Sequence, residues 1–207
     1  MPTKRLTDVE FEPPKVPLPA EIAALLADAQ QRIDALEDKS RAEIPAFVPS
    51  NFEVAYRALV EINASNLATG RRFIEWGSGV GVVACLASHV GFDAVGIEIE
   101  PKLVDIANAI AEEHDVAVDF VCGSFVPNGS DAHADWNDGV AWLTTEAPDG
   151  YDDLELEPDD FDVVFAYPWP GEEQVIFDLF ADIAAVGALL LTYHGIDGVK
   201  LQRKVKR

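Results

Sequence analysis

The chain has 207 residues, 49% of them hydrophobic and 25% charged, which suits one globular domain with an ordinary buried core. Its formal net charge is −22, and no Lys or Arg occurs from Leu103 through Val199. That balance disfavours a nucleic-acid partner and an anionic membrane and favours a basic one.

No apolar stretch reaches the roughly 18 residues of a membrane span, and MPTKRLTDVEFEPPK has no apolar signal core, so a cytoplasmic location is expected. Residues 1–19 are Pro-rich and polar and read as an extended arm. From Ala20 to about Arg41, Ile22, Leu25, Leu26, Ala29, Ile33 and Leu36 recur at helical spacing behind Pro19. Pro45 and Pro49 break that pattern. Ser50, with Glu53 three residues on, predicts a capping box opening a second helix to about Ala68. Residues 1–45 thus read as an arm and helix, and 46–207 as the main domain.

Strands and helices then alternate. Arg72–Trp76 reads as a strand, Val80–Val90 as a helix and Ala94–Glu98 as a strand. Pro101–Glu113 is a helix with Pro at its start, and Val116–Cys122 a third strand. Phe161–Ala166, Glu172–Val186 and Ala188–Tyr193 continue as strand, helix and strand. This order predicts an α/β fold, doubly wound around a mostly parallel sheet, with an N-terminal helical extension and a short C-terminus. The segment 126–160 is long, acidic and turn-rich, with Trp136, Trp142 and Tyr151 embedded, and reads as a partly ordered insert near the site. The basic stretch Lys200–Arg207 reads as a tail, an edge strand or a segment docked on the acidic body. Cys85 and Cys122 sit in apolar runs and read as buried, inert thiols, and no Cys/His spacing suggests a metal.

The chemistry concentrates at Gly77-Ser-Gly-Val-Gly81, between a strand and a helix. Glycines there allow a sharp turn and close approach of a ligand, and the helix offers free N–H groups. Glu98 ends the next strand, where a carboxylate can accept the two hydroxyls of a ribose. A dinucleotide turn is expected to read GxGxxG. Here the third glycine comes one residue early, and Glu75 closes the first strand.

An acidic residue followed by xGxGxG resembles the first motif of class I, seven-strand methyltransferases, and the match covers about residues 47–194. The resemblance implies a Rossmann-like sheet and S-adenosyl-L-methionine as cofactor. It implies that Glu75 helps hold the methionine end, that Gly77, Gly79 and Gly81 cradle it, and that Glu98 binds the ribose. Ile99 and Phe125 would pack on the adenine, with Ser124 standing where the family often has Asp. Tyr167-Pro-Trp-Pro170 follows the fourth strand, where amino-methylating enzymes acting on bases or glutamine resemble Asp/Asn-Pro-Pro-aromatic. Phe47-Val-Pro-Ser50 and the Pro-containing segment resemble, more narrowly, small protein-lysine methyltransferases of the ATP synthase c-subunit type. The family's last two strands form a hairpin for which little chain remains.

The expected activity is methyl transfer to an amine, a protein lysine or small molecule being the acceptor, with no nucleic acid or membrane as partner. Tyr167 and Trp169 would face the transferred methyl and desolvate the amine, and His194, after the fifth strand, is the candidate base. A nicotinamide oxidoreductase on the same sheet and a non-catalytic cofactor-binding module are the competing readings.

Overall fold

The computed structural model describes residues 6–40, 47–128 and 147–206. Its elements in chain order are β1 (Leu6–Asp8), α1 (Ala20–Ser40), α2 (Phe52–Ala64), β2 (Arg72–Trp76), α3 (Val82–Val90), β3 (Asp93–Glu98) and α4 (Pro101–Glu113). Then come β4 (Val118–Cys122), α5 (Gly150–Leu154), β5 (Val163–Ala166), α6 (Glu173–Ile183), β6 (Leu189–Tyr193) and β7 (Val199–Lys204). Every strand and helix expected between residues 72 and 193 is present, displaced by two residues at most except at the end of α6, which stops three residues early. Ser50 is not the cap of α2. Asn51 is, its Oδ1 accepting the Val54 N–H at 3.2 Å, and the helix stops at Ala64.

The seven strands lie in the order β1-β7-β6-β5-β2-β3-β4. The β4-β3-β2-β5-β6 core is parallel, and β7 runs antiparallel between β6 and β1. Chain order reverses direction across the sheet between β2 and β5, and ligands of open α/β sheets bind beyond the strand ends at such a point.

Alternate side chains face opposite layers, as the two-residue period of a strand requires. Phe73, Val163, Phe165, Leu189, Leu191 and Leu201 pack with α1 to α4. Ile74, Trp76, Val164, Ala166 and Leu190 pack with Ile176, Leu179 and Phe180 of α6 and with Tyr151 of α5. Ile22, Leu25 and Ile33 of α1 are each at most 1% exposed. Burying a side chain of that kind is worth about 1.5–3 kcal/mol. The neighbouring surface pair Arg32–Asp28 at 3.0 Å is worth about 1 kcal/mol at most, so the apolar face is what holds α1 down.

Two expectations are corrected here. The N-terminal arm is not separate: Leu6, Thr7 and Asp8 pair with Lys204, Arg203 and Gln202, and α1 shares the core of α2 to α4, so packing does not break at residue 45. The basic segment also builds a strand, and β6 and β7 form the terminal hairpin that seemed to lack chain. Three of its cations are bound within the chain. Lys200 reaches Asp8 at 3.2 Å, Arg203 donates to the Gly187 and Leu67 carbonyls at 2.8 and 2.7 Å, and Lys204 donates to Asp182 and Ala184 at the end of α6. Of the insert, residues 126–128 and 147–160 are described, with Tyr151 buried in α5. Trp136 and Trp142 lie outside the described residues.

A chain starting at Glu10 lacks β1 and leaves the β7 edge unpaired. It is expected to lose about 1–3 kcal/mol of stability and to self-associate, read by urea unfolding and by size-exclusion chromatography.

Candidate functional site

The glycine turn is a left-handed backbone segment that only glycine adopts cheaply, with φ of 66° at Gly77, 56° at Gly79 and 75° at Gly81. The three positions do different things. A Cβ at Gly77 would project into open space, its nearest neighbour being the Phe125 ring at 4.0 Å. A Cβ at Gly79 would strike the Phe47 ring at 2.7 Å. At Gly81 it would strike Phe120 at 2.4 Å and Ala107 at 2.7 Å. Gly81 is therefore a packing glycine that lets the turn seat against α4 and β4, and it does not line the cavity.

Two buried carboxylates hold the turn. Glu98 Oε2 accepts the Gly79 N–H at 2.8 Å, while its Oε1 accepts the N–H groups of Ile99 at 2.8 Å and Glu100 at 3.0 Å. Glu75 Oε2 accepts the Ala84 N–H at 2.8 Å, serving the first turn of α3, whose own N-cap, Gly81, has no side chain. Burial raises the pKa of Glu98 against three backbone donors that lower it. Burial raises Glu75 well above the ordinary carboxylate value, partly offset by the Ala84 N–H and reinforced by the Glu98 charge.

A cavity of about 520 Å³ opens beside the turn, within the size range of small-ligand sites. Its wall includes Glu75, Gly77, Gly79, Glu98, Ile99, Ser124, Phe125, Tyr167 and Trp169. Sequence reasoning named all of these. Phe125 stacks on Trp76, with centroids 5.3 Å apart and planes 7° off parallel, and makes one flat apolar wall. Ser124 is spent on structure: its Oγ accepts the Val126 N–H at 3.0 Å, and its backbone pairs with Pro148 and Gly150, tying β4 to the near end of the insert.

His194 is not in the cavity wall. Its Nε2 lies 2.7 Å from the Thr192 hydroxyl, beside Phe177 and Lys200. Burial lowers its pKa against the opposing pull of Glu173. The strand end was correctly located, but the β6–β7 hairpin directs the side chain elsewhere. Cys122 is likewise corrected. It is exposed, whereas Cys85 is buried with its thiol pushed up to about 12 by burial and by Glu75.

The wall also holds residues to which the sequence reading gave no place in the site, although Phe47-Val-Pro-Ser50 was singled out as a motif. Phe47, Val48, Pro49 and Phe52 roof the turn, and Glu172 closes the far side. Pro170-Gly171 is a turn signature that was visible in the sequence. With Gly171 at φ 95° and the Glu172 N–H donating to the Trp169 carbonyl at 2.9 Å, it folds Glu172 back beside Trp169. Among the described residues the wall carries Glu75, Glu98, Glu100 and Glu172, and no Lys, Arg or His.

No protein-family model matches the chain, and no curated protein matches it by sequence. Solved structures match its fold. An RNA methyltransferase from Salinibacter ruber, in complex with S-adenosyl-L-homocysteine, aligns over 77% of this chain and 95% of its own at 19% identity and a TM-score of 0.53. A methyltransferase from Geobacter sulfurreducens aligns over 92% and 93% at 13% identity and 0.55. The O-methyltransferase from Bacillus cereus, also in complex with that ligand, aligns over 86% and 67% at 16% identity and 0.52. The chain has the Rossmann-like fold of class I methyltransferases.

Glu75 supplies a pH test of this geometry. A folded-state pKa above the unfolded one contributes stability that is present below the unfolded value and is lost as pH rises through the folded one. Glu75→Gln is therefore expected to match wild type near pH 4.5, the ordinary carboxylate value, and to become progressively the more stable of the two towards neutrality. Thermal unfolding of both proteins across that range checks it.

Proposed function

We propose that the chain is an S-adenosyl-L-methionine-dependent methyltransferase whose acceptor is an amine, a protein lysine being the preferred case. The observation that carries this reading is the open, left-handed Gly77 beside a carboxylate that already grips the turn. Bare backbone at Gly77 leaves room for the amino-acid end of the cofactor where any side chain would intrude. Glu98 uses three backbone donors, which leaves capacity on its two oxygens for a ribose hydroxyl. Ile99, 38% exposed, and Phe125 offer apolar surface to an adenine.

The charge of the wall selects among cofactors. Four carboxylates and no described cation suit a ligand bearing a sulfonium and an ammonium. A dinucleotide would bring a pyrophosphate into the same field. When bound, S-adenosylmethionine supplies an electrophilic methyl group on sulfur. The chain's own part is to hold the acceptor in line and to exclude water. Tyr167, Pro168 and Trp169 leave the end of β5 at the cavity and give an apolar, aromatic surface for that purpose. His194, outside the wall, has no part in this reading.

The chain's negative charge favours a basic protein over a nucleic acid as the acceptor. Among the described residues no helix is long and apolar enough to cross a membrane. The Salinibacter protein of the same fold is an RNA methyltransferase, so RNA belongs among the acceptors tried.

Calorimetry with S-adenosylhomocysteine should show binding that Glu98→Ala weakens by about 1–3 kcal/mol, and that Gly77→Val abolishes while circular dichroism below its melting range stays native, the left-handed φ costing the variant some thermal stability. Gly81→Ala, by contrast, should lower thermal stability through its clash with Phe120 and Ala107. Preferential binding of NAD would overturn the cofactor assignment. A tritiated methyl group offered to protein, RNA and small-amine fractions should appear in protein or amine, and label confined to RNA would reverse the acceptor.

A further inference from the structure

Resting on that reading, we propose that Tyr193, which does not line the cavity, is a positioning residue: its ring holds the ring of Tyr167 in place beside the path by which the acceptor meets the transferred methyl.

Tyr167 stands where the parallel ladder ends. Ala166 closes β5 and is in register with Thr192 of β6, so the next two residues, Tyr167 and Tyr193, come side by side. Strand alternation puts Ala166 in the layer of α6, and Tyr167 and Tyr193 on the opposite face with Phe165 and Leu191. Pro168 follows, with no N–H to extend the ladder, and it restricts Tyr167 to extended backbone. The freedom that remains to Tyr167 is rotation of its side chain.

The ring of Tyr193 limits that rotation. The two rings meet in a T-shaped arrangement, centroids 4.9 Å apart and planes 70° from parallel, a geometry that aromatic pairs favour. Tyr167 is half-buried, lines the cavity and belongs to neither core cluster. Tyr193 is its complement. It is absent from the wall and packs against the core shared by α1 to α4, as does Val199, its partner across the β6–β7 hairpin. A ring seated on the core thus supports a ring that faces the cavity.

An in-line displacement makes such support consequential, because a small misplacement of the nucleophile costs much of the rate. The acceptor's stem has to be confined on the side beyond β5, where Phe165 and Tyr167 line the cavity and the roof residues Phe47 and Phe52 pack on the same core as Tyr193. Phe165 is 2% exposed and fixed by packing, whereas Tyr167 depends on its neighbour across the strand end. The contact is between rings, so phenylalanine at position 193 should serve and leucine should not.

The test needs no identified acceptor. Two analogues of S-adenosylhomocysteine are compared by calorimetry, in which nitrogen replaces sulfur and carries either a methyl group or an n-butyl arm that extends towards the acceptor. Wild type should bind the butyl compound about tenfold more tightly, from partial burial of the added methylenes. Tyr193→Phe should keep that gain and Tyr193→Leu should lose most of it, both holding their affinity for S-adenosylhomocysteine within about twofold. In a Tyr167→Ala background, where the gain is already reduced, Tyr193→Leu should change it no further, a non-additivity that a merely structural role would not produce. Retention of the full gain in Tyr193→Leu overturns the inference, and so does a loss shared equally by S-adenosylhomocysteine. Should Tyr193→Leu fail to fold, an undiminished gain in Tyr167→Ala overturns it from the cavity side. Binding of S-adenosylhomocysteine to wild type with no gain from the arm overturns this inference alone. Failure of wild type to bind S-adenosylhomocysteine at all overturns the underlying reading and this inference with it.

Discussion

The bond from the Gly79 N–H to the Glu98 carboxylate joins the end of β3 to the turn that follows β2. Nearly everything at the site is referred to it. The turn cannot relax, because its glycines sit at left-handed φ and are pressed by Phe47, Phe120 and Ala107. It cannot drift from the sheet either, because the Ser78 N–H is bound to the Ile97 carbonyl at 3.0 Å. Gly96, in the middle of β3, belongs to the same constraint: a Cβ there would meet Phe120 at 2.6 Å and Ser78 at 2.8 Å. Glycines in the turn and in the strand thus make room for the rings of Phe47 and Phe120 and for Ala107 and Ser78, and the backbone of Gly77 is what remains facing the cavity.

Charge is the second organising theme. A chain of net charge −22 spends its few cations on itself. Arg72 pairs with Asp160 at 2.9 Å, Arg32 joins Asp28 and Glu113, and β7 directs Lys200, Arg203 and Lys204 onto carbonyls and Asp8. None of the described cations lines the cavity wall, whose only ionisable acids and bases of the Asp, Glu, Lys, Arg and His types are Glu75, Glu98, Glu100 and Glu172. Burial raises the pKa of Glu75 and Glu98, the two carboxylates at the ends of β2 and β3 beside the cavity. Both are tied to backbone N–H groups and shape the turn.

The far end of the sheet is covered by a strand from the start of the described chain. Without β1, β7 would lie at an open edge. The N-terminal Leu6–Asp8 covers it, with Gln202 Nε2 donating to Asp8 Oδ1 at 2.8 Å and the Val9 N–H donating to the Leu201 carbonyl at 2.8 Å. The two ends of the chain thereby close the same seven-strand sheet whose other half carries the site.

The sequence by itself determined the elements whose signals are local. Pro101 at a helix start and the apolar period after it placed α4 to the residue, and the run Arg72–Trp76 before Gly77 placed β2 and the turn. The carboxylates at the two strand ends, Glu75 and Glu98, and the cavity walls at Phe125, Tyr167 and Trp169 were legible for the same reason. What the tertiary structure decided was everything that depends on a partner distant in the chain. Leu6–Asp8 is too short and polar to read as a strand until β7 lies beside it. Cys122 ends an apolar run but sits on an edge strand with its side chain outward. His194 follows the right strand, yet the hairpin points it at Thr192. Gly81 reads like its two neighbours in sequence and is distinguished only by the ring of Phe120 against it. Local patterns fix where the backbone bends and which face is apolar, whereas the environment of a side chain is set by residues that only folding brings near.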